Sequence, residues 1–125
     1  MTQEDAIKHW RREAQGSLTM ARAGLREKEY TLALFHCHLA IEKALKARYM
    51  EEQGEAAPFS HDLQYLASLL TRDFSEVDLA LLSELGKFSV QARYSDPFWA
   101  EAQATEEQTS LWIEKTAAFL SHFLL

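Results

Sequence analysis

The sequence predicts an all-α protein, an up-and-down bundle of about five helices, four of them long and one short. The 125 residues contain only four glycines and two prolines, too few for the many turns of an all-β chain. Hydrophobic residues make up 47% and charged residues 26%, which is the composition of an ordinary folded domain. Apolar residues recur three or four positions apart over long stretches, and this spacing places them on one face of a helix.

The first two helices carry the clearest pattern. The apolar spacing predicts a first helix over about residues 3–25, with Thr2 and Asp5 at the spacing of a capping box. It predicts a second helix over about residues 30–52, which Gly54 ends. These two helices form the first half of the predicted bundle.

The second half of the chain is predicted to hold three further helices. A short one covers about residues 61–70, and a longer one, with Ser75 and Asp78 at capping-box spacing, covers about 76–92. Residues 94–104 are expected to form a loop, because an Asp-Pro pair interrupts the pattern there. The last helix begins after Thr105, which has a glutamine three positions later at capping-box spacing.

Composition also limits the class of protein. We expect residues 1–125 to form a single domain, which suits a chain of this length. The formal net charge of −6 argues against a nonspecific binder of duplex DNA, since such binding neutralises phosphates. The single cysteine, Cys37, fits a reducing cytoplasm, and no apolar run is long enough for a membrane helix. We therefore expect a cytoplasmic protein that contacts no membrane.

Charge is unevenly distributed along the chain. Residues 1–50 hold 9 basic and 6 acidic side chains, whereas the remainder is strongly acidic. A basic patch on the first two helices is one interpretation. A solvated helix face with ion pairs such as Glu42–Lys46 is the other. The side chains in question are Lys8, Arg11, Arg12, Lys43, Lys46 and Arg48.

The last helix is apolar on more than one side, from Leu111 to Leu124. Such a helix has to be enclosed, either within its own fold or against a second subunit. We expect a homodimer on this ground. The alternative is that the last few residues fray as a hydrophobic tail.

Spacing excludes several kinds of cofactor site. The four glycines are too far apart for a phosphate-binding loop, and no Glu is followed by a His three positions later, as in di-iron bundles. A second cysteine, which a thiolate zinc site would need, is absent. His38 and Glu42 share a helix face, but two ligands are a weak metal signal. We expect neither a metal nor a cofactor.

Three segments together resemble the HEPN domain family. The first is Ala-Ile-Glu-Lys-Ala-Leu-Lys at residues 40–46, preceded by Phe-His-Cys-His at residues 35–38. The second is His-Asp-Leu at residues 61–63, and the third is Ala-Arg-Tyr at residues 92–94, ahead of the Asp-Pro pair. The order and spacing of all three carry the resemblance, which extends from Trp10 to the last helix.

The resemblance implies a helical bundle, usually a homodimer, of one of two functional types. Some HEPN proteins are metal-independent ribonucleases with an Arg followed, after four to six residues, by a His. None of the arginines in this chain has a His at that distance. Whether the protein is an enzyme stays open, and the missing motif favours the second type. Proteins of that type are noncatalytic and accompany a small nucleotidyltransferase, binding its nucleotide or substrate, in some cases as a toxin–antitoxin pair.

The second type needs a pocket that holds phosphate and base. Cationic and aromatic residues supply such a pocket, since Arg and Lys bind phosphate and Tyr stacks on a base. Glu42 and Asp96 are candidates for structural pairing, and Arg93 pairing with Glu42 is an alternative to ligand binding. The candidate ligand-binding residues are Lys43, Lys46, His61, Arg93 and Tyr94.

Two other functions stay open at this point. One is a ribonuclease toxin that assembles His61 and Arg93 from separate helices. The other is a plain dimeric interaction module.

Overall fold

Six α-helices form the part of the chain that the structure describes. A computed structural model describes residues 2–89 and 97–124. Within these ranges there is no strand, and the predicted all-α helical bundle is confirmed. In chain order the helices are α1 (Gln3–Arg26), α2 (Tyr30–Gln53), α3 (Leu63–Ser68), α4 (Glu76–Gly86), α5 (Pro97–Gln103) and α6 (Glu106–Phe123).

Three of the helices begin at the N-caps that the sequence predicts. Thr2, Ser75 and Thr105 each accept, through the side-chain hydroxyl, the backbone N–H of the residue three positions later. At the start of α1 the Asp5 carboxylate also accepts the N–H of Thr2, which completes the predicted capping box. Each cap satisfies a backbone donor that the helix itself leaves unpaired.

The first two helices pack as an antiparallel pair joined by the turn at residues 27–29. They come very close at one end, where a Cβ on Gly24 would lie 3.0 Å from the Cβ of Ala33. At the other end Gln3 Nε2 donates to the carbonyl of Met50. Gly24 is therefore needed because any larger residue would push α1 and α2 apart.

The second helix is the centre of the bundle, since it packs against each of the other five described helices. It is buried on several sides, and polar as well as apolar side chains lie inside. It ends at Gly54, which has a left-handed φ of 69° and donates its N–H to the Met50 carbonyl. A glycine adopts this conformation without strain.

The apolar faces of α6 are covered largely within one chain. Phe119, Leu120 and Phe123 are each 1% exposed, so Phe123 lies in the core rather than in a frayed tail. The homodimer was predicted because these side chains needed to be covered. Since the chain covers them itself, they no longer argue for a dimer, and the homodimer stays a prediction. Although α6 is rich in apolar residues, no helix among the described residues is long and apolar enough to cross a lipid bilayer.

Two arginines hold the C-terminal turn of α6. Arg11 of α1 donates to the Leu124 carbonyl at 2.6 Å, and Arg48 of α2 donates to the Phe123 carbonyl at 3.2 Å. The guanidinium of Arg48 also lies over the Phe123 ring, 5.3 Å from its centroid. These contacts satisfy carbonyls that have no partner inside the helix and place positive charge at its negative end.

Two predicted boundaries in the second half of the chain are wrong. The fourth helix ends at Gly86 rather than near residue 92, because residues 87–89 form tight turns in which each N–H donates three residues back. The predicted loop at 94–104 contains the helix α5, which starts at Pro97. Proline suits the first position of a helix, since its N–H would be unpaired there.

Candidate functional site

A buried carboxylate, Glu42 on α2, lies at the centre of the candidate site. The residue is 4% exposed, and three side chains surround its two oxygens. Lys46 Nζ lies 3.1 Å from Oε2, and His61 Nδ1 lies 3.0 Å from Oε1. His38 Nε2 lies 3.3 Å from Oε1. We refer to these four residues as the Glu42 cluster.

Three members of the Glu42 cluster come from one face of α2. His38, Glu42 and Lys46 follow one another at intervals of four residues, and this interval stacks side chains along a helix. The ammonium of Lys46 also lies 5.6 Å from the centroid of the Trp10 ring on α1. A cation–π contact thus supplements the carboxylate, and the lysine is held between two helices.

The fourth member, His61, comes from the segment that precedes α3. Asp62 is the N-cap of α3 and accepts the N–H of Tyr65, so α3 begins two residues later than the predicted start at 61. Its end at Ser68 is likewise inside the predicted boundary at 70. The His61 side chain is 74% exposed although Nδ1 is bound to Glu42, so most of the ring faces solvent.

The neighbours of Glu42 determine its charge. Burial by itself raises the pKa of a carboxyl, but the His38 ring, the Lys46 ammonium and the His61 ring outweigh burial and lower the pKa of Glu42 to about 2. The carboxylate is therefore ionised at neutral pH and forms a buried ion pair with Lys46. Because an unpaired charge at this position would be very unfavourable, each partner requires the other.

The ring of His38 links α2 to α4. Its Nδ1 lies 3.2 Å from the carbonyl oxygen of Leu85, and since a carbonyl can only accept, Nδ1 carries the proton in this contact. Its Nε2 faces Glu42 at 3.3 Å without the alignment of a hydrogen bond. The contact with Leu85 thus fixes the ring and holds Nε2 beside the Glu42 carboxylate.

A groove of about 680 Å³ opens beside His61. One wall is formed by residues 59–64, and the other by the end of α4 and the turn after it, residues 82–89. Phe59 at the rim is fully exposed, and Lys87 brings a positive charge to the opposite wall. The groove thus combines an open aromatic ring, an imidazole and an ammonium group.

The structure brings together two of the predicted ligand-binding residues. Lys46 and His61 meet at Glu42, which forms an ion pair with Lys46 and a hydrogen bond with His61. Lys43 does not join them, because its Nζ donates to Ser17 Oγ at 2.9 Å. Lys43 is one residue after Glu42, which is a rotation of roughly 100° around the helix, so its side chain faces α1 instead of joining the Glu42 cluster.

The remaining predicted site residues are Arg93, Tyr94 and Asp96, and they lie outside the described residues. The ligand-binding roles of Arg93 and Tyr94 stay predictions. The same holds for the pairing role of Asp96 and for the alternative in which Arg93 pairs with Glu42.

The basic side chains of the first two helices are mostly engaged in ion pairs. Five of them have a carboxylate within 3.8 Å. This arrangement agrees with the interpretation of an ion-paired helix face rather than one free basic patch. The five are Lys8, Arg11, Lys43, Lys46 and Arg48.

Three residues around the site were not among the predicted ones. His38 could have been found from the interval of four that links it to Glu42 and Lys46. Phe59 and Lys87 gave no such signal, because their place beside the groove depends on how the segment before α3 packs against α4. Both are ordinary surface residues by sequence.

The Glu42 cluster is suited to binding and proton transfer. Among the described residues no group of three or more His, Cys, Asp or Glu side chains could hold a metal ion. Glu42 accepts from Nδ1 of His61, which leaves Nε2 on the outer side of the ring. A histidine oriented in this way can bond a ligand or move a proton.

The fold and the site define a small all-helical bundle domain with a buried polar cluster beside a groove. The chain belongs to the HEPN domain family, since the family model described as HEPN domain matches residues 7–123. The resemblance inferred from the sequence is therefore confirmed. The assignment to the type that lacks the ribonuclease motif stays a prediction.

Two solved structures are similar to this chain. One is TT1696 from Thermus thermophilus, with a TM-score of 0.82 and 21% identity over 94% of this chain and 95% of that chain. The other is ST0689, an archaeal HEPN homologue, with a TM-score of 0.73 and 24% identity over 94% of each chain. At these identities the likeness shows the fold alone. None of the curated proteins matches this chain.

Proposed function

We propose that this protein is a noncatalytic HEPN protein that binds a nucleotide as the accessory subunit of a small nucleotidyltransferase. The observation that carries the proposal is the groove, which is lined by His61, held by Glu42, by the exposed Phe59 and by Lys87. These groups match the parts of a nucleotide. An aromatic ring stacks on a base, an imidazole bonds its polar edge, and an ammonium attracts phosphate.

The charges in the groove favour one orientation of the ligand. Lys87 lies on the α4 side and pairs with Glu84 at 3.1 Å, but both side chains are nearly half exposed. An exposed pair of this kind is weak, so Lys87 is available to a phosphate. Phe59 and His61 lie on the opposite wall. We therefore expect the base against the 59–64 segment and the phosphate against the end of α4.

Calorimetric titration with nucleoside monophosphates and triphosphates tests the binding step. We expect Phe59→Ala and Lys87→Ala each to weaken binding by about tenfold, since stacking and a phosphate contact are each worth about 1–2 kcal/mol. Lys115→Ala is the matched control, because Lys115 is an exposed lysine on α6 outside the groove lining. Absence of any heat at millimolar nucleotide would contradict the proposal.

The partner and the assembly state need their own experiment. The proposal places this chain, as a homodimer in the cytoplasm, beside a small nucleotidyltransferase encoded by a neighbouring gene, in a toxin–antitoxin-type pair. Co-expression with such an enzyme and light scattering of the purified species should give a complex that contains two copies of this chain. A monomer that passes through the column apart from the enzyme would count against the accessory role.

A ribonuclease with a non-standard site is the second candidate function. The contact that favours it is the Glu42–His61 pair, in which a buried carboxylate orients a solvent-facing imidazole. Such a pair can remove a proton from a ribose hydroxyl. Incubation with end-labelled RNA decides between the two functions: cleavage that His61→Ala abolishes would replace the accessory role with a catalytic one.

A further inference from the structure

The hydrogen bond between Glu42 and His61 fixes which nitrogen of the imidazole carries the proton. The Glu42 carboxylate, ionised as described above, can only accept, so Nδ1 of His61 is the donor at 3.0 Å. In a neutral imidazole the other nitrogen is then an acceptor. Nε2 of His61 therefore presents a lone pair from a ring that lines the groove.

The cluster does not require a positive charge on His61. Lys46 lies 3.1 Å from the same carboxylate, is buried beside it, and supplies the counter-charge. Asp62, the next residue along the chain, is occupied as the N-cap of α3. A neutral imidazole at His61 is thus compatible with the charge on Lys46, and most of its ring is open to solvent.

The aromatic ring that would stack on a ligand lies two residues from this acceptor. Phe59 and His61 belong to the same wall of the groove, and Phe59 is fully exposed. A flat ring stacked on Phe59 would occupy the part of the groove that residues 59–64, including His61, line. An edge that carries an N–H donor would pair with Nε2, whereas an edge with only acceptors or C–H groups would leave that nitrogen unpaired.

We infer that the groove selects a nucleobase with an N–H donor on its edge, such as an exocyclic amino group, with Nε2 of His61 accepting that N–H. This inference rests on the proposed nucleotide binding and adds the chemical group that is recognised. Glu42 acts as the positioning residue, since it holds the imidazole in the tautomer that accepts. A site built to bond such a group discriminates against an analogue that lacks it.

Paired ligands that differ only in the amino group test the inference. Adenosine monophosphate is compared with purine riboside monophosphate, in which hydrogen replaces the amino group, by calorimetry at pH 8. We expect the amino compound to bind the wild-type protein about tenfold more tightly. The His61→Phe variant should bind the two compounds about equally, because an aromatic ring remains but the acceptor nitrogen is gone. His9→Phe, an exposed histidine on α1, should keep the wild-type preference.

The outcomes separate this inference from the proposed function. Equal binding of the two ligands by the wild-type protein overturns amino-group recognition while nucleotide binding stands. Binding of neither ligand overturns both. The tautomer is measured without any ligand by long-range ¹H–¹⁵N NMR of the imidazole at pH 8: a proton on Nδ1 is the expected result, and a proton on Nε2 of His61 overturns the inference.

Discussion

Replacing Glu42 by glutamine tests whether the buried carboxylate keeps Lys46 inside the bundle. Glutamine preserves the size and one oxygen acceptor, but it leaves the ammonium of Lys46, whose side chain is 7% exposed, without a counter-charge. Removing one partner of a buried pair costs about 3–5 kcal/mol. We therefore expect Glu42→Gln to lower the free energy of unfolding by about 3 kcal/mol at pH 7, measured by urea denaturation followed by circular dichroism.

The pH dependence of the unfolding free energy provides a second test of Glu42→Gln. The pKa of Glu42 is lowered from the ordinary 4.5 to about 2, so the stabilisation is fully present above pH 4.5 and is lost as the pH falls toward 2. At 1.36 kcal/mol per pH unit this amounts to about 3 kcal/mol. The wild-type protein should lose this contribution on acidification, whereas Glu42→Gln should not. The difference between the two proteins should shrink toward zero at pH 2.

Two further variants make the test specific. Glu114→Gln is the control, since Glu114 pairs with Arg22 at 2.8 Å but is 65% exposed, and we expect it to cost about 0.5 kcal/mol or less. Adding Lys46→Met to Glu42→Gln removes the unpaired charge and should recover part of the lost stability. The reasoning is refuted if Glu42→Gln is as stable as the wild type at pH 7 and shows the same acid profile.

Three other substitutions and one chemical probe report on the bundle. Gly24→Ala should destabilise by about 1–3 kcal/mol in thermal or urea unfolding, because its Cβ would lie 3.0 Å from Ala33. Gly16→Ala, with nothing within 4 Å of the new Cβ, should stabilise α1 by up to about 1 kcal/mol; a reversal of these two signs would contradict the packing of α1 on α2. Thr105→Ala removes the N-cap of α6 and should cost about 1 kcal/mol, and no loss in the melting temperature would deny that cap. Burial raises the pKa of the Cys37 thiol to about 12, so iodoacetamide should modify it only in denaturant, as mass spectrometry would show; rapid labelling of the folded protein would be the contrary result.

The long helices were predictable because their signals are local. The capping box of Thr2 with Asp5 and the glycine at 54 fix the boundaries of α1 and α2 to within a residue or two. The prediction of a loop at residues 94–104 was wrong because the local feature behind it has two interpretations. The Asp-Pro pair indicates a turn, but Pro97 is also a good first residue of a helix, and the structure has the helix.

The candidate site was only partly predictable from the sequence. The residues on α2 follow from helix spacing, which places Glu42 and Lys46 on one face and turns Lys43 away. The approach of His61 to Glu42 spans 19 residues of sequence and depends on how the segment after α2 folds back. Tertiary packing also places Phe59 at the groove. Contacts of this kind produce no periodic pattern of residues from which they could be predicted.

The arginine contacts at the end of α6 bear on the order in which the protein is completed. Arg11 and Arg48 belong to the first 50 residues, and the carbonyls they bond belong to the last turn of the last helix. On the ribosome, the first two helices emerge long before their partner does, and their inner faces remain open to water or to a chaperone during that interval. The two arginine contacts can therefore form only after α6 has been translated.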